Sequence, residues 1–155
     1  MAGAGIRGVP GKANFYPFEK AHSDADIVVY FRKADVVQTG DLIFSGMYPF
    51  IDITHEGSLD GMISAADEII KMCGENTKVI PGHGSLTDRQ GVKKFQEMLV
   101  TVRDRIAEHI KKGKSLEEVL ASKPTAALDE EWGKAIPADL SVSIVYNDLS
   151  KKRKT

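Results

Sequence analysis

Ala21-His22-Ser23-Asp24-Ala25-Asp26-Ile27-Val28-Val29-Tyr30-Phe31 is the stretch on which the fold turns. Its last five residues are a continuous apolar run of β-branched and aromatic side chains, which predicts a strand buried on both faces. Its first six place a histidine just ahead of that strand. On the C-terminal side, Arg32-Lys33-Ala34-Asp35 is a polar turn. Val36-Val37-Gln38-Thr39 is a second short strand ending at Gly40-Asp41, so the pair reads as a hairpin.

Further along, residues 42–57 lack a clean period and read as a long loop, a kind of segment that is often functional. Ser58 is a good N-cap, and Leu59, Met62, Ile63, Ala66, Ile69, Ile70 and Cys73 then share one helical face. Gly74 is placed to stop that helix in the left-handed conformation. Lys78-Val79-Ile80 is a third strand, broken by Pro81-Gly82-His83-Gly84. Thr87 and Gln90 form a capping box for a long amphipathic helix through Val92, Phe95, Leu99, Val102, Ile106 and Ile110, closed by Gly113. Ser115 and Glu118 form another, opening a short helix. An irregular stretch surrounds Trp132, and Pro137 starts a last helix carrying Leu140, Ile144, Val145 and Leu149. The expected class is α/β in the layered α+β sense, a small mixed sheet packed by helices.

In the other direction, residues 1–20 read as a loose lead-in, its first twelve rich in Gly, Ala and Pro. Gly3-Ala4-Gly5-Ile6-Arg7-Gly8 is a literal GxGxxG, but no strand can precede it, so it is not a dinucleotide site. Residues 21–150 form the domain, and 151–155 a basic tail whose charge suits a helix C-terminus. The 155 residues carry a net charge of −1 and are 42% hydrophobic, which fits one ordinary globular domain. Balanced charge gives no reason to expect nucleic acid, and no apolar run approaches the ~20 residues a bilayer requires. A single cysteine, Cys73, excludes an internal disulfide, and residues 1–11 lack the apolar core of a signal peptide, so the expected location is cytoplasmic.

Four histidines occur. His109 sits mid-helix among charged residues and His55 in the long loop, and both read as surface groups. His22 lies before the first strand, His83 lies between two glycines after the third, and Asp41 ends the second. Strand ends present ligands to one rim of a sheet, and two imidazoles with a carboxylate suit zinc or another first-row divalent ion. Spacing alone does not tie the three together. They equally fit a surface histidine, a turn aspartate and a loop histidine.

The surrounding words add a resemblance. Residues 21–31 resemble the third-histidine segment of metallo-β-lactamase superfamily hydrolases of the glyoxalase II type. Thr39-Gly40-Asp41-Leu42-Ile43-Phe44 resembles the bridging-aspartate segment, and Val79-Ile80-Pro81-Gly82-His83-Gly84 the last-histidine segment. The likeness runs through Tyr48-Pro49-Phe50-Ile51-Asp52, Gly57-Ser58, Lys123-Pro124-Thr125 and Trp132. It implies the C-terminal half of an αββα sandwich, with His22, Asp41 and His83 as metal ligands. The superfamily's His-x-His-x-Asp-His motif is absent.

Three expectations follow. The first is a truncated metallo-β-lactamase-fold protein without hydrolase activity of its own, forming a homodimer that covers its sheet and holding zinc at one incomplete site or no metal. The second is a metal-dependent hydrolase of a thioester, ester or lactam, its site completed by a partner chain. The third is a non-enzymatic interaction module using the open sheet or the aromatic loop with Phe44, Met47, Tyr48 and Phe50.

Overall fold

The computed structural model describes residues 13–152. Five strands and five helices follow one another as β1 (Asn14–Phe18), β2 (Asp26–Phe31), β3 (Val36–Phe44), α1 (Leu59–Met72), β4 (Lys78–His83), β5 (Thr87–Asp88), α2 (Arg89–Lys111), α3 (Leu116–Ala121), α4 (Asp129–Trp132) and α5 (Ala138–Lys152). The strands lie in one sheet in chain order, β1-β2-β3-β4-β5. Only β3 and β4 pair in parallel; the others are antiparallel. This is the mixed sheet with helices that the sequence predicts.

The register separates two faces. Val28, Val37 and Val79 are fully buried and join the core with Leu59, Met62, Ile69, Phe95, Leu99 and Ile106 of α1 and α2. On the opposite side, Val29 stands against Phe15 and Gln38, Phe31 against Val36, and Gln38 against Ile80. That face remains open among the described residues: Ile27 is 47% exposed, Phe31 41% and Ile80 41%. The run 27–31 is therefore apolar on both faces but buried on one, which leaves the open sheet face that the sequence leads one to expect.

Strand β1 is a correction to the expected lead-in 1–20. Asn14-Phe15-Tyr16-Pro17-Phe18 pairs along its whole length with β2. Pro17 obscures the strand in the sequence, but β1 is an edge, where a residue without N–H need not interrupt a ladder. Residues 1–12, with the glycine motif, and residues 153–155 of the tail lie outside the described residues.

Other boundaries shift for local reasons. Strand β3 continues past Asp41 through buried Leu42, Ile43 and Phe44, so the irregular segment begins only after Phe44. Strand β4 runs through Pro81 to His83, and Pro81 faces Gly40 where the register slips, a place where a missing donor is tolerated. Ser58 caps α1 as expected, accepting from the Gly61 N–H. Its end does not use a left-handed Gly74; Cys73 is extended and the Gly74 N–H donates to Thr77 Oγ1. Asp88, not Thr87, caps α2 by accepting from the Gly91 N–H. The Ser115–Glu118 capping box forms in full. Gly113 is left-handed at φ +75°, and α4 orders the stretch before Trp132.

Cys73 is buried, and loss of solvent around the thiol pushes its pKa up to about 11, with the Asp35 carboxylate adding to the rise. Thiolate is the reactive form. Native protein should therefore react with iodoacetamide far more slowly than protein unfolded in denaturant, as followed by mass spectrometry. Equal rates would show that this corner of the core opens freely.

Candidate metal centre

Topology brings the three expected ligands to one rim. Parallel β3 and β4 end at the same edge, and antiparallel β2 begins there. His22 just precedes β2, Asp41 lies in the last half of β3, and His83 ends β4. His22 Nε2 stands 3.6 Å from Asp41 Oδ2, and His83 Nε2 stands 3.4 Å from Asp41 Oδ1.

Each side chain is held by its surroundings. His22 Nδ1–H donates to the Phe50 carbonyl at 2.8 Å, which leaves Nε2 as the lone-pair nitrogen facing Asp41. The backbone clamps the same segment: the Asp52 N–H donates to the His22 carbonyl, and the Ser58 N–H to the Ala21 carbonyl. His83 stacks on Phe44, ring centroids 5.0 Å apart, and its carbonyl accepts from the Ser45 N–H. Beside Asp41, Gly40 is left-handed at φ +52°. The buried Thr39 hydroxyl donates to the Ile80 carbonyl and fastens β3 to β4 just before the ligands. A Cβ at Gly82 would overlap Asp41 Oδ1, so only glycine lets the carboxylate lie against β4.

The separations decide between two chemistries. At 3.4 and 3.6 Å the imidazoles are beyond good hydrogen-bond distance from the carboxylate. Two ligand atoms each about 2.1 Å from one tetrahedral zinc ion stand roughly 3.4 Å apart. Each His–Asp pair thus has the spacing of co-ligands, but on different carboxylate oxygens. The result is two half-sites of two ligands each, with Asp41 common to both. Among the described residues no group of three or more His, Cys, Asp or Glu side chains is placed to hold one ion. Residues 1–12 and 153–155 contain none of these residue types. The residues therefore fit a metal ion as part of a shell.

The remaining histidines lie outside this group. His55 is exposed, as expected, and pairs with Asp52, its Nδ1 at 2.8 Å from Oδ2. Hydrogen bonds from Thr54 and His55 hold the Asp52 carboxyl well below the usual range, and Asp52 in turn raises His55. A raised histidine stabilises fully below its unfolded pKa and loses that contribution as pH rises through the folded value; the lowered aspartate does the reverse. The pair is thus most effective between about pH 4 and about pH 6.5. In an NMR titration His55 should titrate above a free histidine, and Asp52→Asn should remove the rise. An unchanged midpoint would show that the pair does not form in solution.

His109 is half-buried rather than a plain surface residue; its Nε2 lies 3.4 Å from Ser122 Oγ. In the aromatic loop, Phe44 and Tyr48 are core residues, and the Tyr48 hydroxyl donates to Asp129 at 2.7 Å. Phe50 is left exposed, its ring centroid 6.4 Å from that of His22. The loop residues thus meet the candidate ligands, Phe44 by stacking on His83 and Phe50 through its carbonyl to His22. The sequence marks Phe50 only as part of the aromatic loop, because its hold on His22 passes through a main-chain carbonyl.

Solved structures similar to this chain have the metallo-β-lactamase fold. DIM-1 metallo-β-lactamase is similar at 23% identity and a TM-score of 0.55, over 64% of this chain and 46% of that one. TMB-1 is similar at 22% identity and a TM-score of 0.53, with the same coverage. A double mutant of the sec-alkyl sulfatase PisA1 is similar at 18% identity and a TM-score of 0.68, over 87% of this chain and 23% of that one. The chain thus has the metallo-β-lactamase fold and spans a little under half the length of the lactamases. No protein-family description and no curated protein matches the sequence. No helix among the described residues is long and apolar enough to cross a membrane.

Proposed function

We propose that this chain carries His22, Asp41 and His83 as one wall of the metal centre of a metallo-β-lactamase-fold hydrolase. In this reading it is without turnover by itself and self-associates through its open sheet face. The observation that supports the reading is the pair of imidazole nitrogens set 3.6 and 3.4 Å from the two oxygens of one carboxylate. A zinc ion at such ligands would lower the pKa of water and polarise the bond to be cleaved in a thioester, ester or lactam. The chain's own residues do the positioning. Phe50 fixes the tautomer of His22, Phe44 holds the plane of His83, and Gly82 makes room for Asp41.

Inactivity follows from the ligand count. Catalytic zinc sites use three protein ligands and keep one position open. Two ligands per ion neither hold it firmly nor exclude competing geometries. Self-association follows from the apolar face of Ile27, Phe31 and Ile80, since exposed apolar patches of this kind mark interaction surfaces.

Metal analysis of the purified chain, with turnover of ester, thioester and lactam substrates on the same sample, tests the proposal. Zinc is expected to bind, with no turnover above buffer. Tightly held zinc together with turnover by the monomeric chain would overturn the inactivity. Failure to take up any first-row divalent ion would overturn the metal reading.

A further inference from the structure

We infer that the metal ions are shared between two copies of this chain, each ion taking His22 and Asp41 from one copy and His83 and Asp41 from the other. This rests on the metal-centre reading above and says what completes it.

Ligand supply is the first argument. One copy presents two half-sites of two ligands, His22 with Asp41 Oδ2 and His83 with Asp41 Oδ1. Among the described residues no further His, Cys, Asp or Glu joins either. A tetrahedral ion takes four ligands, so two half-sites from different copies make one complete nitrogen–oxygen shell. A closed two-fold dimer presents the same patch twice, and its symmetry allows the first half-site of each copy to meet the second of the other. The outcome is two equivalent ions per pair of chains.

Access is the second. The side chains of His83 and Asp41 are 56% and 38% exposed and that of His22 18%, so the rim is open to a second chain mainly on the His83 side. The third is continuity with an apolar surface. Strands β3 and β4, which end in the ligands, carry Gln38 and Ile80 on the open face, next to Val29 of β2. A second copy seated on that face would lie along the strands that lead to the ligand rim. Apolar contact would supply the association, and the ions would fix its register.

Complementation between variants tests the idea. His22→Asn keeps a side-chain donor for the Phe50 carbonyl but removes Nε2; His83→Ala trims an exposed ring. Mass in solution is measured by sedimentation, with zinc content, on the full chain with and without added zinc. For the wild type, zinc should tighten dimerisation by about tenfold or more, because an ion that binds only the dimer shifts the equilibrium toward it. Each variant alone should lose most of that response. Their equimolar mixture should regain it at one zinc per two chains, since one complete shell forms between the intact His83 of one and the intact His22 of the other. A mixture no better than its components would overturn the sharing. Stoichiometric zinc on a chain that stays monomeric would overturn the sharing and leave the metal centre standing. A wild type that takes up no metal would overturn both.

Discussion

Replacing Asp41 by alanine is expected to abolish zinc uptake, whereas replacing either histidine alone leaves a weaker site. The asymmetry lies in the geometry. His22 and His83 each serve one half-site, but the two oxygens of Asp41 serve both. Loss of Asp41 leaves two imidazoles that share no ligand, each held by groups that do not themselves bind metal, Phe50 in one case and Phe44 in the other. Loss of an outer partner of a ligand costs roughly 10–100-fold in metal affinity. Loss of a ligand itself should exceed that, with a larger fall for Asp41, which serves both half-sites, than for either histidine alone. Calorimetric titration with zinc on the three variants reads the order directly. Equal losses would show that Asp41 is no more central than its neighbours. The fold should survive, because Asp41 is partly exposed and the core around Leu42, Ile43 and Phe44 stays intact.

The second large effect is expected from Gly82→Ala. The added methyl would overlap Asp41 Oδ1 and would lie 2.7 Å from the Gly40 carbonyl carbon and 2.8 Å from its oxygen. A carboxylate can rotate away, but the main chain of Gly40 cannot, because β3 pairs with β4 at this point. The strands must part, or Asp41 must leave His83. Overpacking of this kind costs about 1–3 kcal/mol. At this chain length each kcal/mol lowers Tm by about 2–4 °C, so a fall of several degrees should accompany loss of zinc binding. Gly74→Ala is the matched control: its methyl would meet only Thr77 Oγ1, at 3.6 Å. That change should leave Tm unchanged or slightly raised, through the reduced freedom of the unfolded chain. Equal effects at the two glycines would show that the close approach at Gly82 is not maintained in solution.

The mixed sheet packed by helices was legible in the sequence, and so was the gathering of His22, Asp41 and His83 at strand ends on one rim, for a local reason. His22, Asp41 and His83 each sit in a short segment whose glycines and strand residues fix the backbone nearby, so their words survive without knowledge of the rest. The features that were missed depend on distant partners. Asn14–Phe18 becomes a strand because β2 is there to pair with it. Pro81 stays inside β4 because the register with β3 slips beside it. The cap of α2 falls on Asp88 rather than Thr87, where β5 passes directly into the helix. Ile27 and Phe31 look like core by composition, and composition does not tell which side of a strand another layer will cover.

The parallel pairing of β3 with β4 also sets when the ligand rim can exist. A parallel pair needs a crossover, here the loop after Phe44 and the whole of α1, and closing that length of chain costs entropy before any strand contact repays it. Asp41 and His83 therefore meet only after α1 has docked and the sheet has closed. In the unfolded chain they are too far apart on average to act as a chelate, so a divalent ion has little to hold until the tertiary structure is in place. A divalent ion held at this rim would therefore be expected to arrive after the sheet has closed and to slow unfolding more than it speeds folding, which stopped-flow folding with and without zinc would read.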